Sequence, residues 1–352
     1  MEITFIIPAY QAERTVARTI ESILNQTDQR YRIIIVNDGS SDGTERICKD
    51  YAAQHPEKIT YIYQDNRGLG GARNRGMELA ATEYVSFLDS DDWLMPEYVE
   101  CLLGYAEKNR AEMIMILPVI YHEGSRITRD WYDRELFEQI FDYSGKIINP
   151  ELYPKVYQLE VNQCRKILHR DFIRRVNFSF REQIKWEDVF PHFYLLSQCK
   201  ACMGIKEVGF YYRIGSTGQI TSQRGRERLD ILTVFTDLLD YVSEERRSDL
   251  EFASMRVIVR FSIWCIRMSE KGIRQELVRE LNAFFRKIPK RFYQALKQGT
   301  RAGYSKADAR QYQLFVTAIR IRPLSWIFYD YFYQDVGEKM IKGLLKAKER
   351  VA

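Results

Sequence analysis

Short apolar runs alternate with stretches of helical periodicity from residue 3 to residue 88. Thr4-Phe5-Ile6-Ile7 reads as a strand buried on both faces, and Pro8 ends it. Val16, Ile20, Ile23 and Leu24 then recur at helical spacing over 13–26. Ile33-Ile34-Ile35-Val36 predicts a second strand that stops at Asn37-Asp38-Gly39-Ser40-Ser41-Asp42-Gly43. A helix is expected over 45–53, capped by Ser41 or Asp42. Ile59 to Tyr63 and Tyr84 to Leu88 predict the third and fourth strands. Strands alternating with helices imply crossover units, hence an α/β fold with a mostly parallel sheet flanked by helices. Beyond residue 225 the pattern turns helical: Leu229, Leu232, Val234, Phe235, Leu238 and Leu239 fit one amphipathic helix, and Val257 to Met268 another. The expected division is an α/β domain over 1–225 and a helical C-terminal domain over 226–352.

In parallel sheets of this kind ligands bind outside the carboxyl ends of the strands. Polar residues fall at those ends: Ala9-Tyr10, Asp38, Asp65-Asn66 and Asp89-Ser90-Asp91-Asp92. Tyr10 can pack on a base, and Asp38 can accept hydrogen bonds from a base N–H or a ribose hydroxyl. Asp38 and Asp42 also suit turns, and Asp42 is the better candidate for a purely structural role. Carboxylates as close as Asp89, Asp91 and Asp92 repel one another unless they hold a cation, and a Mg²⁺-type site needs only one or two carboxylates plus phosphate and water oxygens. The alternative makes Asp91 or Asp92 a helix cap before Trp93. The run Arg67-Gly68-Leu69-Gly70-Gly71-Ala72-Arg73-Asn74-Arg75-Gly76 reads as a glycine-rich helix entry, with Arg73 and Arg75 as charges for a phosphate. It is a weak dinucleotide fingerprint, because Arg73 takes the third glycine position, and no P-loop motif occurs.

Composition narrows the picture. A chain of 352 residues exceeds one modest core, and 45% apolar with 29% charged residues is ordinary for a soluble protein. A net charge of +5 is too small for its size to suggest nucleic acid binding. No leader-like segment opens the sequence, and Arg260 and Arg267 interrupt its most apolar late stretch, so a cytoplasmic protein is expected. The aromatic-rich segment 320–333 and the basic amphipathic segment 339–350 suit either peripheral docking at the inner face of the cell membrane or a homo-oligomer contact. The six cysteines are scattered. Cys199 and Cys202 form a C-x-x-C, but a zinc site needs two more ligands and only His192 lies nearby, so core thiols are expected.

Four elements in order, Ile6-Ile7-Pro8-Ala9-Tyr10, Val36-Asn37-Asp38-Gly39-Ser40-Ser41-Asp42-Gly43-Thr44, Gly70-Gly71-Ala72-Arg73-Asn74-Arg75-Gly76 and the aspartate cluster, resemble the family 2 glycosyltransferases. These are inverting enzymes of GT-A type fold that use nucleotide sugars. The resemblance implies donor contacts from Pro8, Ala9, Tyr10, Asp38, Asp65, Arg73, Asp89 and Arg213, with Asp38 at the base or ribose and Asp89 at the ribose or metal. It implies Mn²⁺ or Mg²⁺ on Asp91. The likeness continues more weakly to about residue 222. Arg165-Lys166-Ile167-Leu168 onward looks like an acceptor-side segment, and Trp186-Glu187-Asp188-Val189-Phe190 matches the motif whose aspartate, here Asp188, is the catalytic base. Tyr211-Tyr212-Arg213 through Thr221 resembles a segment that closes on the donor diphosphate. Where the family carries Ser-Ile-Thr this chain has Gln219-Ile220-Thr221, leaving Ser216 or Thr217 as the substitute phosphate contact. The implied activity is metal-dependent transfer from a UDP-sugar to a saccharide or lipid-linked acceptor in bacterial surface polysaccharide synthesis. A sugar nucleotidyltransferase and a non-catalytic nucleotide-binding protein are the alternatives.

Overall fold

The computed structural model describes residues 1–215, 224–298, 312–313, 315–317 and 319–320. The chain divides into two compact units, residues 1–219 and 220–352. In the first, β1 (Ile3–Ala9), α1 (Val16–Leu24), β2 (Tyr31–Asp38), α2 (Thr44–Gln54), β3 (Ile59–Gln64), α3 (Gly68–Leu79) and β4 (Tyr84–Phe87) form the expected alternation. Then follow β5 (Trp93–Leu94), α4 (Tyr98–Lys108), β6 (Met113–His122), β7 (Ile127–Asp130), α5 (Arg134–Ile140), β8 (Lys146–Ile148), β9 (Lys166–His169), α6 (Arg170–Val176), α7 (Val189–Gln198) and β10 (Cys202–Ile214).

One sheet orders these strands β3-β2-β1-β4-β9-β6-β10-β5, with β7 on β6 and β8 on β10. The first four strands are parallel throughout: Ile3 lies opposite both Tyr31 and Tyr84, and Ile33 opposite Ile59. Antiparallel β9 joins β4 to β6, and β6 pairs in parallel with β10. β1 is buried at every position, as a strand covered on both faces must be. Because β1 to β4 run the same way, Ala9, Asp38, Gln64 and Phe87 all end at one edge of the sheet.

Two local expectations resolve here. Asp42 is structural: its Oδ1 accepts from Thr44 N at 3.1 Å and its Oδ2 from Glu13 N at 3.1 Å, tying the start of α2 to the loop before α1. The helix-cap alternative for Asp91 and Asp92 is overturned, since Trp93 and Leu94 form a strand and the next helix starts only at Tyr98. β5 pairs antiparallel with β10, Trp93 opposite Tyr211.

The second unit is helical over its described residues: α8 (Asp230–Glu245), α9 (Ser248–Met268), α10 (Lys271–Lys287) and α11 (Lys290–Gln298). The apolar face of α8 is Ile231, Val234, Phe235, Leu238, Leu239 and Val242, and α8, α10 and α11 all pack on α9. Among the described residues no helix is long and apolar enough to cross a membrane. The aromatic and basic segments 320–333 and 339–350 fall outside the described residues except for Arg320, as do Ser216, Thr217, Gln219, Ile220 and Thr221.

α3 is the element that fixes the site, and two glycines set its depth. A Cβ on Gly76 would stand 2.3 Å from Ile6 Cγ2 of β1, and one on Gly70 would stand 2.2 Å from the Arg181 carbonyl oxygen. The second contact is with backbone, which cannot swing aside. Gly70→Ala is therefore expected to destabilise the protein by about 1–3 kcal/mol through overpacking, read as a lower urea midpoint at unchanged slope. An unshifted midpoint would show that the 180–183 segment is not held against α3.

Candidate active site

The glycine-rich run packs closely on its surroundings, Gly70 on the 180–183 segment and Gly76 on β1. Asn74 pins the 180–183 segment to α3, accepting from Phe180 N at 2.7 Å and donating to Phe180 O at 2.9 Å. Gln183 N donates to Arg67 O at 2.9 Å. The chain then turns through Trp186, buried and held at φ 65°, a left-handed conformation that costs an aromatic residue about 1–3 kcal/mol and survives only where its surroundings dictate it. The next two residues, Glu187 and Asp188, are thereby delivered to α3.

They meet Arg73. Its side chain is 1% exposed and carries three carboxylates: Nη1 on Glu187 Oε1 at 2.8 Å and on Asp188 Oδ1 at 2.7 Å, Nη2 on Asp89 Oδ1 at 3.0 Å. The guanidinium read in the sequence as a charge for a phosphate thus faces three carboxylates, with its Nε buried and without a hydrogen-bond partner among the described residues. Arg75 is paired with Glu78 at 2.8 Å on the helix surface. The residue spacing hid this arrangement, since the partners lie 16 and more than 100 positions away.

Asp188 stands at the N-cap position of α7 but makes no capping bond. Its Oδ1 takes the Arg73 bond and its Oδ2 accepts from Gln163 N at 3.3 Å, while the side chain stays 21% exposed. Both oxygens are oriented and the group is still reachable. Glu187 is 5% exposed, and burial together with the Asp188 charge pushes it up to about 8. Lys166, buried at the start of β9, gives its Nζ to Asn162 O at 2.9 Å, and burial lowers it to about 7. Gln163 carried no distinct signal in the sequence, whereas Lys166 lay in the segment whose likeness is to an acceptor-side element.

The aspartate cluster follows β4, where Leu88 N still bonds Ile6 O. Asp92 points inward: Oδ1 accepts from Arg213 N at 2.9 Å, its carbonyl accepts from Thr19 Oγ1 at 2.7 Å, and Oδ2 is buried with no partner among the described residues. Burial and the charges of Asp91 and Asp89 hold its carboxyl well above the usual range. Among the described residues, Asp89, Asp92 and Cys164 bring potential metal-ligand atoms within 4.8 Å of one another. Burial raises the Cys164 thiol well above its ordinary value, so it is a poor ligand for a hard cation. The half-buried carboxylates of Asp89 and Asp91 fit Mg²⁺ or Mn²⁺, with Asp92 bracing the turn beneath them.

At the other strand ends, Asp38 is 3% exposed and its Oδ1 accepts from Gln64 Nε2 at 2.7 Å and Arg67 N at 2.9 Å. Pro8 and Ala9 are buried in β1, while Tyr10 just beyond is 53% exposed. Asp65 is exposed after β3. The Arg213 side chain is buried, 3.5 Å from Glu123 and beside the Trp93 ring, on which Arg18 also lies at 3.3 Å. Cys199 and Cys202 are buried free thiols hydrogen-bonded to each other, and His192 Nε2 donates to Tyr157 O at 3.2 Å.

Fold and strand-end carboxylates together define a GT-A type α/β protein. Residues 4–172, just under half of the chain, match the family described as Glycosyl transferase family 2. It is 28% identical over 254 residues to the minor teichoic acid biosynthesis protein GgaB of Bacillus subtilis, across 70% of this chain and 27% of that protein. It is 43% identical over 101 residues to glycosyltransferase GlyA of Streptococcus pneumoniae, across 29% of this chain and 14% of that one. The chain thus spans less than a third of the length of these relatives. The crystal structure of S. aureus TarS 1-349 in complex with UDP-GlcNAc superposes with a TM-score of 0.64 at 16% identity, covering 91% of this chain and 92% of that one, a likeness of fold.

The Glu187 environment has a pH signature. Between 4.5 and about 8 the folded chain keeps a proton that the unfolded chain has released. Its contribution to stability therefore falls as pH rises through that window. Lys166 works in the opposite sense, because the unfolded chain binds the extra proton between about 7 and 10.5, so stability rises with pH there. Below that second window, from about pH 5 to about pH 7, Glu187→Gln is expected to flatten the loss of stability seen in the wild type. Urea midpoints across that range measure it, and identical slopes in the two proteins would contradict the assignment.

Proposed function

We propose that this chain is an inverting glycosyltransferase that moves a sugar from a UDP-sugar to a hydroxyl of a saccharide or lipid-linked acceptor. The observation that carries this reading is the meeting of Asp188 with Asp89 on one guanidinium. A reachable carboxylate, oriented through both oxygens, stands beside the carboxylate that the family places at the donor. Inversion requires a base on the face of the sugar opposite the leaving group. Asp188 would take the acceptor proton, a contribution usually worth about 10²–10⁴-fold in rate.

Donor recognition follows from the strand ends. Asp38 would accept from the base or ribose, since its carboxylate is fixed by two donors. Tyr10 would stack on the base, Pro8 and Ala9 would shape the floor, and Asp65 would line the rim. Asp89 would meet the ribose, and Arg213, anchored through its own N–H on Asp92, would face the diphosphate. Asp91 would hold Mn²⁺ or Mg²⁺. When bound, such a cation neutralises the charge that grows on the leaving diphosphate. TarS was crystallised with UDP-GlcNAc and with UDP, which supports a UDP-linked donor here. The likeness to a teichoic acid biosynthesis protein supports a bacterial surface polymer as the destination. Transfer is assigned to residues 1–225, with the helical region 226–352 as an appendage.

A screen of UDP-sugars with released UDP as the readout, with and without Mn²⁺, tests the class of reaction. UDP release that needs both acceptor and Mn²⁺ is expected, whereas pyrophosphate release would make the chain a nucleotidyltransferase. Asp91→Asn should lose activity while the fold survives, and full turnover of that variant in excess EDTA would rule out its metal role. Asp188→Asn should bind UDP and Mn²⁺ nearly as well as the wild type and lose at least about 100-fold in kcat. If it instead loses UDP affinity and keeps turnover at saturating donor, Asp188 is a binding residue.

A further inference from the structure

The turn between β7 and α5 holds Trp131, Tyr132 and Asp133, which the proposed chemistry leaves unused. Tyr132 is 65% exposed but well supported. Its ring leans on buried Trp131 with centroids 5.2 Å apart, and Trp131 meets Tyr212 of β10 edge-on at 5.3 Å. Through the pairings with β9, strands β6 and β10 run in the direction of β4, so Tyr212 lies toward the edge that carries the aspartate cluster. Burial, then the charges of Asp92 and Asp89, hold its hydroxyl well above the ordinary value. On its other side the turn is latched to the loop that orients Asp188. Asp133 Oδ2 accepts from Arg165 Nη1 at 2.7 Å and from Glu160 N at 2.5 Å, and Gln163 of the same loop gives its N–H to Asp188. The Tyr132 platform therefore borders both the aspartate turn and the base. Behind it, Trp131 Nε1, Asp133 Oδ1 and Arg165 Nη2 are buried with no hydrogen-bond partner among the described residues. Leaving such groups unpaired costs about 1–3 kcal/mol each.

We propose that Tyr132, backed by Trp131, is the platform on which a pyranose ring of the acceptor stacks, with Glu160 accepting from its hydroxyls. This rests on the transferase reading and deepens it, because it makes the acceptor end a sugar ring rather than a bare lipid or polyol phosphate. A pyranose presents a face of C–H groups and a rim of hydroxyls. It needs an aromatic surface with a few donors and acceptors at the rim, reached directly or through water, and the 131–133 turn and the 160–165 loop supply both. A phosphate would instead meet the carboxylates of Asp133 and Glu160, since the adjacent Arg165 guanidinium is fully buried and paired with Asp133 at 2.7 Å. Loss of water and then the Glu160 charge raise the Tyr132 hydroxyl from its ordinary value, as for a ring set in a recess.

The test titrates the full chain, with UDP and Mn²⁺ present, with methyl glucoside, methyl galactoside and N-acetylglucosamine, and with glycerol phosphate as the charged non-sugar. Trp131 lies against the platform, so at least one pyranoside should give a saturable change in tryptophan emission that Trp131→Phe removes. Tyr132→Ala should weaken that binding by about tenfold, the scale of one aromatic contact, while Tyr132→Phe stays within about threefold of the wild type. UDP affinity and the thermal midpoint should be the same in all three proteins, because the ring is exposed and remote from the nucleotide contacts. No saturable response to any pyranoside would overturn the proposal, as would a response to glycerol phosphate alone. Undiminished sugar affinity in Tyr132→Ala, or an equal loss in Tyr132→Phe, would overturn stacking on the ring. Wild-type protein that releases no UDP from any UDP-sugar would sink the transfer reading instead. The two failures stay distinct because sugar binding is read without turnover.

Discussion

A guanidinium shut off from water has to be surrounded by acceptors, and in this protein Arg73 collects three carboxylates to meet that demand. The desolvation cost of a charge at such a position is several kcal/mol even after relaxation. It is offset only by close opposite charges with good hydrogen-bond geometry. Three elements are consequently held in register: the helix that carries Arg73, the strand end that carries Asp89, and the loop that carries Glu187 and Asp188. Removing one member of a buried cluster of this kind typically costs about 3–5 kcal/mol. The cluster therefore ties the stability of the domain to the geometry of its proposed chemistry.

Charge balance within the cluster follows from the same constraint. One cation cannot compensate three ionised carboxylates in a low-dielectric setting, so one of them keeps its proton. Glu187 is the most buried of the three and lies against Asp188, and it is the one driven up to about 8.

The turn after β4 divides its labour in a similar way. Asp92 faces inward, bonds the Arg213 backbone and the Thr19 hydroxyl, and braces the junction between β5 and β10. Asp89 and Asp91 remain half-buried at the cleft. The close repulsion among the three is tolerable because Arg73 draws off Asp89 and burial suppresses the charge on Asp92.

Much of this was legible in the sequence. Short continuous apolar runs and period-3.6 patterning gave strands β1 to β4 and their helices within a residue or two, apart from the longer overrun at the start of α1, because local side-chain burial dictates both. The parallel run of those strands, implied by their alternation with helices, is enough to place Tyr10, Asp38 and Asp89 at one edge. Arg73 was visible as a charge beside glycines, but its partners were not. Local sequence records which groups are charged, while the identity of a buried counter-ion depends on which distant segments pack together. The same holds for Gly70, whose missing Cβ makes room for the Arg181 carbonyl, and for Trp93-Leu94, where pairing with β10 overrode a plausible helix start. Sequence alone determined the sheet and its polar edge, because short-range burial patterns dictate both. Tertiary structure decided that an arginine read as a charge for a phosphate is the buried hub of three carboxylates, because only packing brings charges this far apart in the chain to within 3.0 Å of one cation.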